Sequence, residues 1–182
     1  MKTSLEQIVL EARELFRERG YVGASMQDLA ERVGLKKASL YTRFPSKESL
    51  VEPVLALTLE ETFSDLDGDA GDWLARYEAV LKRIAAELTD RRRCVGLHLA
   101  YGVQADASDA LGAVQNYFNA LRDGLVTILR YKLSAKRAAT VATDALVRLE
   151  GATLWIVIEN DPHPMQRALK TLIAEARALD ES

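Results

Sequence analysis

The 182-residue chain is 48% hydrophobic and 28% charged, which supplies enough apolar surface for a core and argues against both a membrane protein and a disordered one. No stretch approaches the roughly 18 unbroken apolar residues of a membrane span, Met1 leads into a charged amphipathic segment unlike a signal peptide, and the single cysteine, Cys94, has no second to pair with. These features predict a cytoplasmic protein. The net charge is −3, yet residues 1–50 hold nine Lys/Arg against seven Asp/Glu and the rest hold fifteen against twenty, so the positive side lies at the N-terminus.

No segment alternates with period two, and helical periodicity runs nearly throughout, so the fold class is all-α. Leu5, Ile8, Val9, Ala12, Leu15 and Phe16 form one stripe, with Ser4 and Gln7 as a capping box and Gly20 as a stop. Ser25 with Asp28 opens a short second helix, which Gly34 breaks. A third short helix spans about Lys37 to Phe44 and ends at Pro45. Ser46 caps a fourth helix from Lys47 to about Phe63, with Pro53 in its interior as an expected kink. An acidic, Gly-containing loop, residues 64–71, precedes a helix from Asp72 bearing Trp73, Tyr77, Leu81, Ile84 and Leu88. The segment Cys94 to Val103 is apolar nearly all round and reads as buried. Helices capped by Ser108 and Ser134 follow, the latter spanning Ala135–Glu159. Residues 160–164 are a break, and a last amphipathic helix carries Leu169, Leu172 and Ala176.

Residues 25–50 carry the functional signal. Two short helices joined at Gly34 have the helix-turn-helix layout, whose second helix enters the major groove. Leu40 and Phe44 can turn inward, leaving Lys37, Ser39, Thr42 and Arg43 outward, all residue types that bond base edges or phosphates. Lys47, at a helix start, can meet a phosphate together with free backbone N–H groups. On the residues alone the alternative is a plain three-helix subdomain with a solvated basic face.

The run from Val33 to Leu50, with its Leu40-Tyr41-Thr42-Arg43-Phe44-Pro45-Ser46-Lys47-Glu48-Ser49-Leu50 core, and the preceding Gly20 to Ala30 closely resemble the signature of the tetracycline-repressor (TetR) family. The signature covers about the first quarter of the chain; Leu149-Glu150-Gly151-Ala152 resembles a weaker family feature. The resemblance implies an N-terminal three-helix helix-turn-helix DNA-binding domain, residues 1–46, and a C-terminal helical ligand-binding and dimerisation domain, residues 47–182. It implies a homodimer on palindromic operator DNA, released by a small-molecule effector. By position, Ser25, Gln27, Lys37, Ala38, Ser39, Tyr41, Thr42, Arg43 and Lys47 line the DNA surface, with Tyr41 and Lys47 on phosphates. Arg43 stands where the family commonly has His. Lys36, where a capping Ser is frequent, cannot cap, having no acceptor; its charge adds it to the DNA-facing set.

The rest of the chain offers weaker candidates. Cys94 and His98 lie four apart on one helix face, as a primed thiol, half a metal site, or two core residues. His98, Tyr101, Gln104 and Asn116 are the polar candidates for an effector pocket, with Cys94, Tyr117 and Trp155 beside them; an aromatic at helical spacing is equally a core residue. Arg91-Arg92-Arg93 is a solvated face or a clamp on the acidic loop. Leu146, Leu149, Leu169 and Leu172, on the last two helices, are the candidate dimer contacts. No triad, P-loop, dinucleotide glycine motif or paired metal ligands occur, so neither an enzyme nor a metal or cofactor is expected. An effector-independent DNA-binding structural protein on the same fold is the alternative function.

Overall fold

The computed structural model describes residues 4–66, 72–103 and 107–181. Every regular element among them is a helix, and none is long and apolar enough to cross a membrane.

Helix α1 (Leu5–Gly23) starts where expected, with Ser4 Oγ accepting the Gln7 N–H at 3.0 Å. Gly20 interrupts it with φ 68°, a left-handed conformation that favours glycine, and one further turn runs to Gly23. Helix α2 (Met26–Arg32) is capped by Ser25, whose oxygen accepts from Asp28 N–H. Gly34, at φ 66°, makes the turn into α3 (Lys37–Tyr41). Leu40 is fully buried and Phe44 nearly so, as are Leu29 and Ala30 of α2 and Phe16 of α1, and α2 packs on both α1 and α3. Burying two such side chains stabilises by about 1.5–3 kcal/mol each, which fixes the face α3 turns outward. The ion pairs Arg19–Asp28, at 2.7 Å, and Arg32–Glu18 tie α1 to α2.

The expected fourth helix begins differently. A 3-10 turn, Glu48–Leu50, leads into α4 (Val51–Phe63), so Pro53 is the third residue of α4 and not an interior one. Proline is tolerated in the first turn of a helix, where its fixed φ suits the backbone. Ser46 caps the 3-10 turn: its Oγ accepts from Ser49 N–H and Ser49 Oγ accepts from Ser46 N–H, both at 3.3 Å.

The remaining helices are α5 (Trp73–Arg91), α6 (Val95–Gly102), α7 (Ser108–Leu129), α8 (Ala135–Glu159) and α9 (His163–Asp180). Ser134 caps α8 as expected, and Asp72, where the fifth helix was expected to begin, caps α5. The chain forms two compact units, residues 1–60 with 95–118 and residues 61–94 with 119–182. In the first, α6 packs closely on α1: a Cβ at Gly102 would lie 3.1 Å from Tyr21 Cβ. In the second, α5, α8 and α9 pack together. Ala138, Ala142, Ala145, Leu149, Ala152 and Ile156 form the buried face of α8, and Leu172 and Ala176 that of α9. Small residues at that spacing let helices approach closely. Arg177 Nε donates to Glu78 at 2.8 Å and Lys82 Nζ at 3.1 Å, joining α9 to α5 and holding the Glu78 carboxyl below its usual range.

Candidate nucleic-acid interface

With Leu40 and Phe44 inward, the outward side of α3 and its approach consists of Lys36, Lys37, Ala38, Ser39, Tyr41 and Thr42, all exposed, with Arg43 half-buried beside them. Lys36 occupies the N-cap without a side-chain cap bond, as its lack of an acceptor dictates. Lys37 Nζ stands 5.8 Å from the Tyr41 ring centroid, so cation and phenol share one patch. Thr42 Oγ1 donates to Ala38 C=O at 3.0 Å. With its proton engaged, Thr42 meets a ligand through oxygen lone pairs and methyl, the combination that suits a base amino group or a thymine methyl.

Ser25 and Gln27 are exposed but already bonded. Ser25 Oγ donates to Asp28 Oδ2 at 2.5 Å, and Gln27 Nε2 to Glu31 Oε1 at 2.6 Å. They lie at the start of α2, where backbone N–H groups add to any phosphate contact.

Lys47 is placed differently from a free phosphate-binding cation. Its half-buried ammonium donates to the carbonyls of Tyr21 at 2.6 Å and Ala24 at 3.0 Å and sits 4.3 Å from the Tyr21 ring centroid. Burial pushes its pKa down. Two of its three N–H groups thus close the end of α1, leaving one for a phosphate. Nothing local in the sequence signals this, because the carbonyls lie 26 and 23 residues away.

The candidate effector residues divide between the units. In the first, Tyr117 is buried edge-on against Phe118, centroids 5.2 Å apart, and over Gly96. His98 faces the end of α1, its Nδ1 3.9 Å from where a Gly20 Cβ would be. Asn116 is exposed, and Tyr101 is 84% exposed. In the second, Cys94 is half-buried with its thiol against the Glu150 carboxyl, which burial pushes up, and Trp155 is 42% exposed. Gln104 lies outside the described residues, as does most of the acidic loop. The neighbour found for Cys94 is a carboxyl group, which does not activate a thiolate as an imidazolium does. Among the described residues no three His, Cys, Asp or Glu converge as metal ligands.

Of the candidate dimer contacts, Leu149 at 0% and Leu172 at 3% exposure belong to the core of their own unit, while Leu146 and Leu169 are half-buried. The outward apolar residues of α8 are Val147, Leu154, Trp155, Val157 and Ile158. Positions 147, 151, 154, 155 and 158 follow one helical stripe, and a Cβ on Gly151 would have no neighbour within 4 Å among the described residues. That spacing is visible in the sequence, but the buried face of α8 is equally apolar.

Residues 8–54 match the family model described as bacterial regulatory proteins, tetR family. The segment is similar to the biofilm operon icaADBC HTH-type negative transcriptional regulator IcaR of Staphylococcus aureus, 47% identical over 47 residues, 26% of this chain and 25% of that protein. It is also similar to the uncharacterized HTH-type transcriptional regulator YuxN of Bacillus subtilis, 34% identical over 64 residues, 35% of this chain and 22% of that protein. The matched segment thus spans about a quarter of the length of these curated relatives. Across nearly the whole chain the fold is shared with a TetR transcriptional regulator from Legionella pneumophila, TM-score 0.83 at 18% identity, covering 94% of this chain and 96% of that one. A TetR-family regulator from Agrobacterium tumefaciens gives 0.78 at 22%, covering 93% and 95%. A TetR variant from Acinetobacter baumannii in complex with minocycline gives 0.63 at 19%, covering 98% of each chain.

Proposed function

We propose that the chain, whose residues 8–54 match the tetR family model and whose fold is that of TetR regulators, is a homodimeric repressor of that family that leaves a palindromic operator when a small molecule binds. Residues 1–46 hold the DNA, and residues 47–182 dimerise and take the effector. The observation that carries this reading is the outward face of α3. Five helical residues present Lys37, Ala38, Ser39 and Tyr41 over a single buried Leu40, with Lys36 and Thr42 at the ends. A purely structural helix has no need of two lysines beside an exposed tyrosine on a surface whose other elements already pack.

Repression is proposed from the negative regulator that shares the N-terminal segment, and effector binding from the relative in complex with minocycline. Dimerisation is proposed through the outward stripe of α8, because the apolar inward faces of α8 and α9 are already covered within the unit. A twofold axis there presents two α3 helices to successive major grooves, about 34–36 Å apart.

The test is a comparison of operator binding by wild type, Lys37→Ala and Thr42→Ala. Each variant is expected to change which base pairs are preferred at its own position, worth about 1–3 kcal/mol. Wild-type affinity is expected to fall steeply with salt. Uniform weakening on all sequences, with preference unchanged, would remove α3 from the base-reading role.

A further inference from the structure

Tyr77 is 1% exposed, yet its hydroxyl is buried without a hydrogen-bond partner among the described residues. A phenol in that state is anomalous, because buried hydroxyls are nearly always paired and an orphan one destabilises the fold. The ring cannot swing out to water to relieve this. It rests against Trp73, centroids 6.5 Å apart, and Trp73 is itself anchored by its Nε1 donating to Asp180 at 2.9 Å. Burial, and then the negative charge of Glu175, push the phenol pKa far up, so it keeps its proton and remains a donor at any physiological pH.

Tyr77 lines a cleft in the second unit, among α5, α8 and α9, with a volume of about 350 Å³ counting the solvent-open space at its mouth. One wall is aliphatic: Val141, Leu172, Ala176 and Leu179. The polar lining is Asp144, Arg148 and Glu175. Arg148 Nη1 donates to both Glu175 oxygens, at 2.9 and 2.8 Å, so these two charges answer each other. Arg148 also feels the charge of Asp144, so one guanidinium faces two carboxylates and the lining keeps a net negative charge, with Asp144 as the carboxylate that makes no hydrogen bond to Arg148 among those described.

We propose that this cleft is a binding site for a small amine carrying an ether, carbonyl or hydroxyl oxygen. The Tyr77 hydroxyl donates to the oxygen of the ligand, the aliphatic wall covers its carbon chain, and Asp144 meets its ammonium beside the Arg148–Glu175 pair. The three features suit an amphipathic cation better than an anion or a hydrocarbon: an apolar wall alone would take the last, and the net negative lining repels the second. None of the effector candidates drawn from the sequence lines this cleft.

The probe pair is 3-methoxypropylamine and pentylamine, which have the same shape and charge and differ by one oxygen in place of one methylene. An NMR titration of the full-length protein is expected to show the methoxy amine binding about tenfold more tightly, one hydrogen bond's worth of discrimination. Tyr77→Phe should abolish that preference while leaving the free protein at least as stable in thermal unfolding, since the substitution removes an unpaired hydroxyl and keeps the ring. Asp144→Asn should weaken both amines alike. The anion 3-methoxypropionate should bind more weakly than either. A preference for the ether that survives in Tyr77→Phe overturns the proposal, as do equal affinities of wild type for the two amines and the failure of both to bind. A fall in stability of free Tyr77→Phe also overturns it, because the hydroxyl would then already have a partner such as water. The titration does not involve DNA, so its failure leaves the operator-binding reading intact.

Discussion

Lys47 is where a family-based assignment and the geometry make different numerical predictions. Replacing it with Ala removes two charge-assisted hydrogen bonds, to the Tyr21 and Ala24 carbonyls at 2.6 and 3.0 Å, and a cation over the Tyr21 ring at 4.3 Å. A hydrogen bond to a charged group contributes about 1.5–3 kcal/mol net. Two bonds sharing one half-buried ammonium therefore amount to about 2–4 kcal/mol, with the ring contact adding about 0.5–1 kcal/mol. At about 2–4 °C per kcal/mol for a chain of this size, Lys47→Ala should melt roughly 5–20 °C below wild type by circular dichroism. Lys47→Met keeps the aliphatic stem on the tyrosine ring and loses the donors, so it should fall nearly as far. A lost phosphate contact has a different signature, a salt slope of DNA binding shallower by about one. If Lys47→Ala melts within about 1 °C of wild type while its salt slope drops by about one, the ammonium belongs to DNA and the closure of α1 that the geometry assigns to it is wrong.

Two carboxyl groups predict opposite pH dependences. Glu78 is held below its usual range first by its hydrogen bond from Arg177, against the opposing effect of burial and with Lys82 assisting. Its contribution is present above the unfolded value of 4.5 and disappears as pH falls through the lowered folded pKa, so wild type should lose stability there and Glu78→Gln should not share that part of the loss. Glu150 is pushed up by burial. Its contribution is complete below 4.5 and is lost as pH rises through the raised folded value, so Glu150→Gln should gain on wild type toward neutral pH in urea melts; parallel pH profiles would show that the carboxyl is solvated. For assembly, Leu154→Asp and Ile158→Asp should give folded monomers by sedimentation with helicity unchanged, whereas Leu149→Asp should unfold its unit. A dimer surviving both outward substitutions would place the interface elsewhere.

The all-helical class and most helix boundaries were legible because they depend on local chemistry. Ser4, Ser25 and Ser134 each accept an N–H from the first turn of their helix, and Gly34 supplies the left-handed conformation the turn needs. The outward face of α3 was legible because Leu40 and Phe44 are the aliphatic and phenyl side chains of their segment and both turn inward. Pro53 was expected in a helix interior and lies in the first turn of α4 instead, because the sequence does not distinguish the 3-10 turn from the α-helix that follows it. That Leu149 lies in the core of its own unit while Leu154 is exposed was not legible: both lie on apolar stripes, and periodicity states that a stripe exists without saying which one the rest of the chain covers. The closure of α1 by Lys47 and the unpaired hydroxyl of Tyr77 are products of tertiary packing. No window of sequence contains both the group and what surrounds it.

The central claim is that two copies of this chain read an inverted repeat through α3. The most direct measurement selects binding sites from random DNA with the purified protein and then weighs the complex on the selected site. The account predicts a two-half-site palindrome with centres about 10–10.5 base pairs apart, or a multiple of that spacing, carrying two chains or a whole multiple of two. Selection of no consensus, or a single chain bound to an unrepeated site, would contradict it.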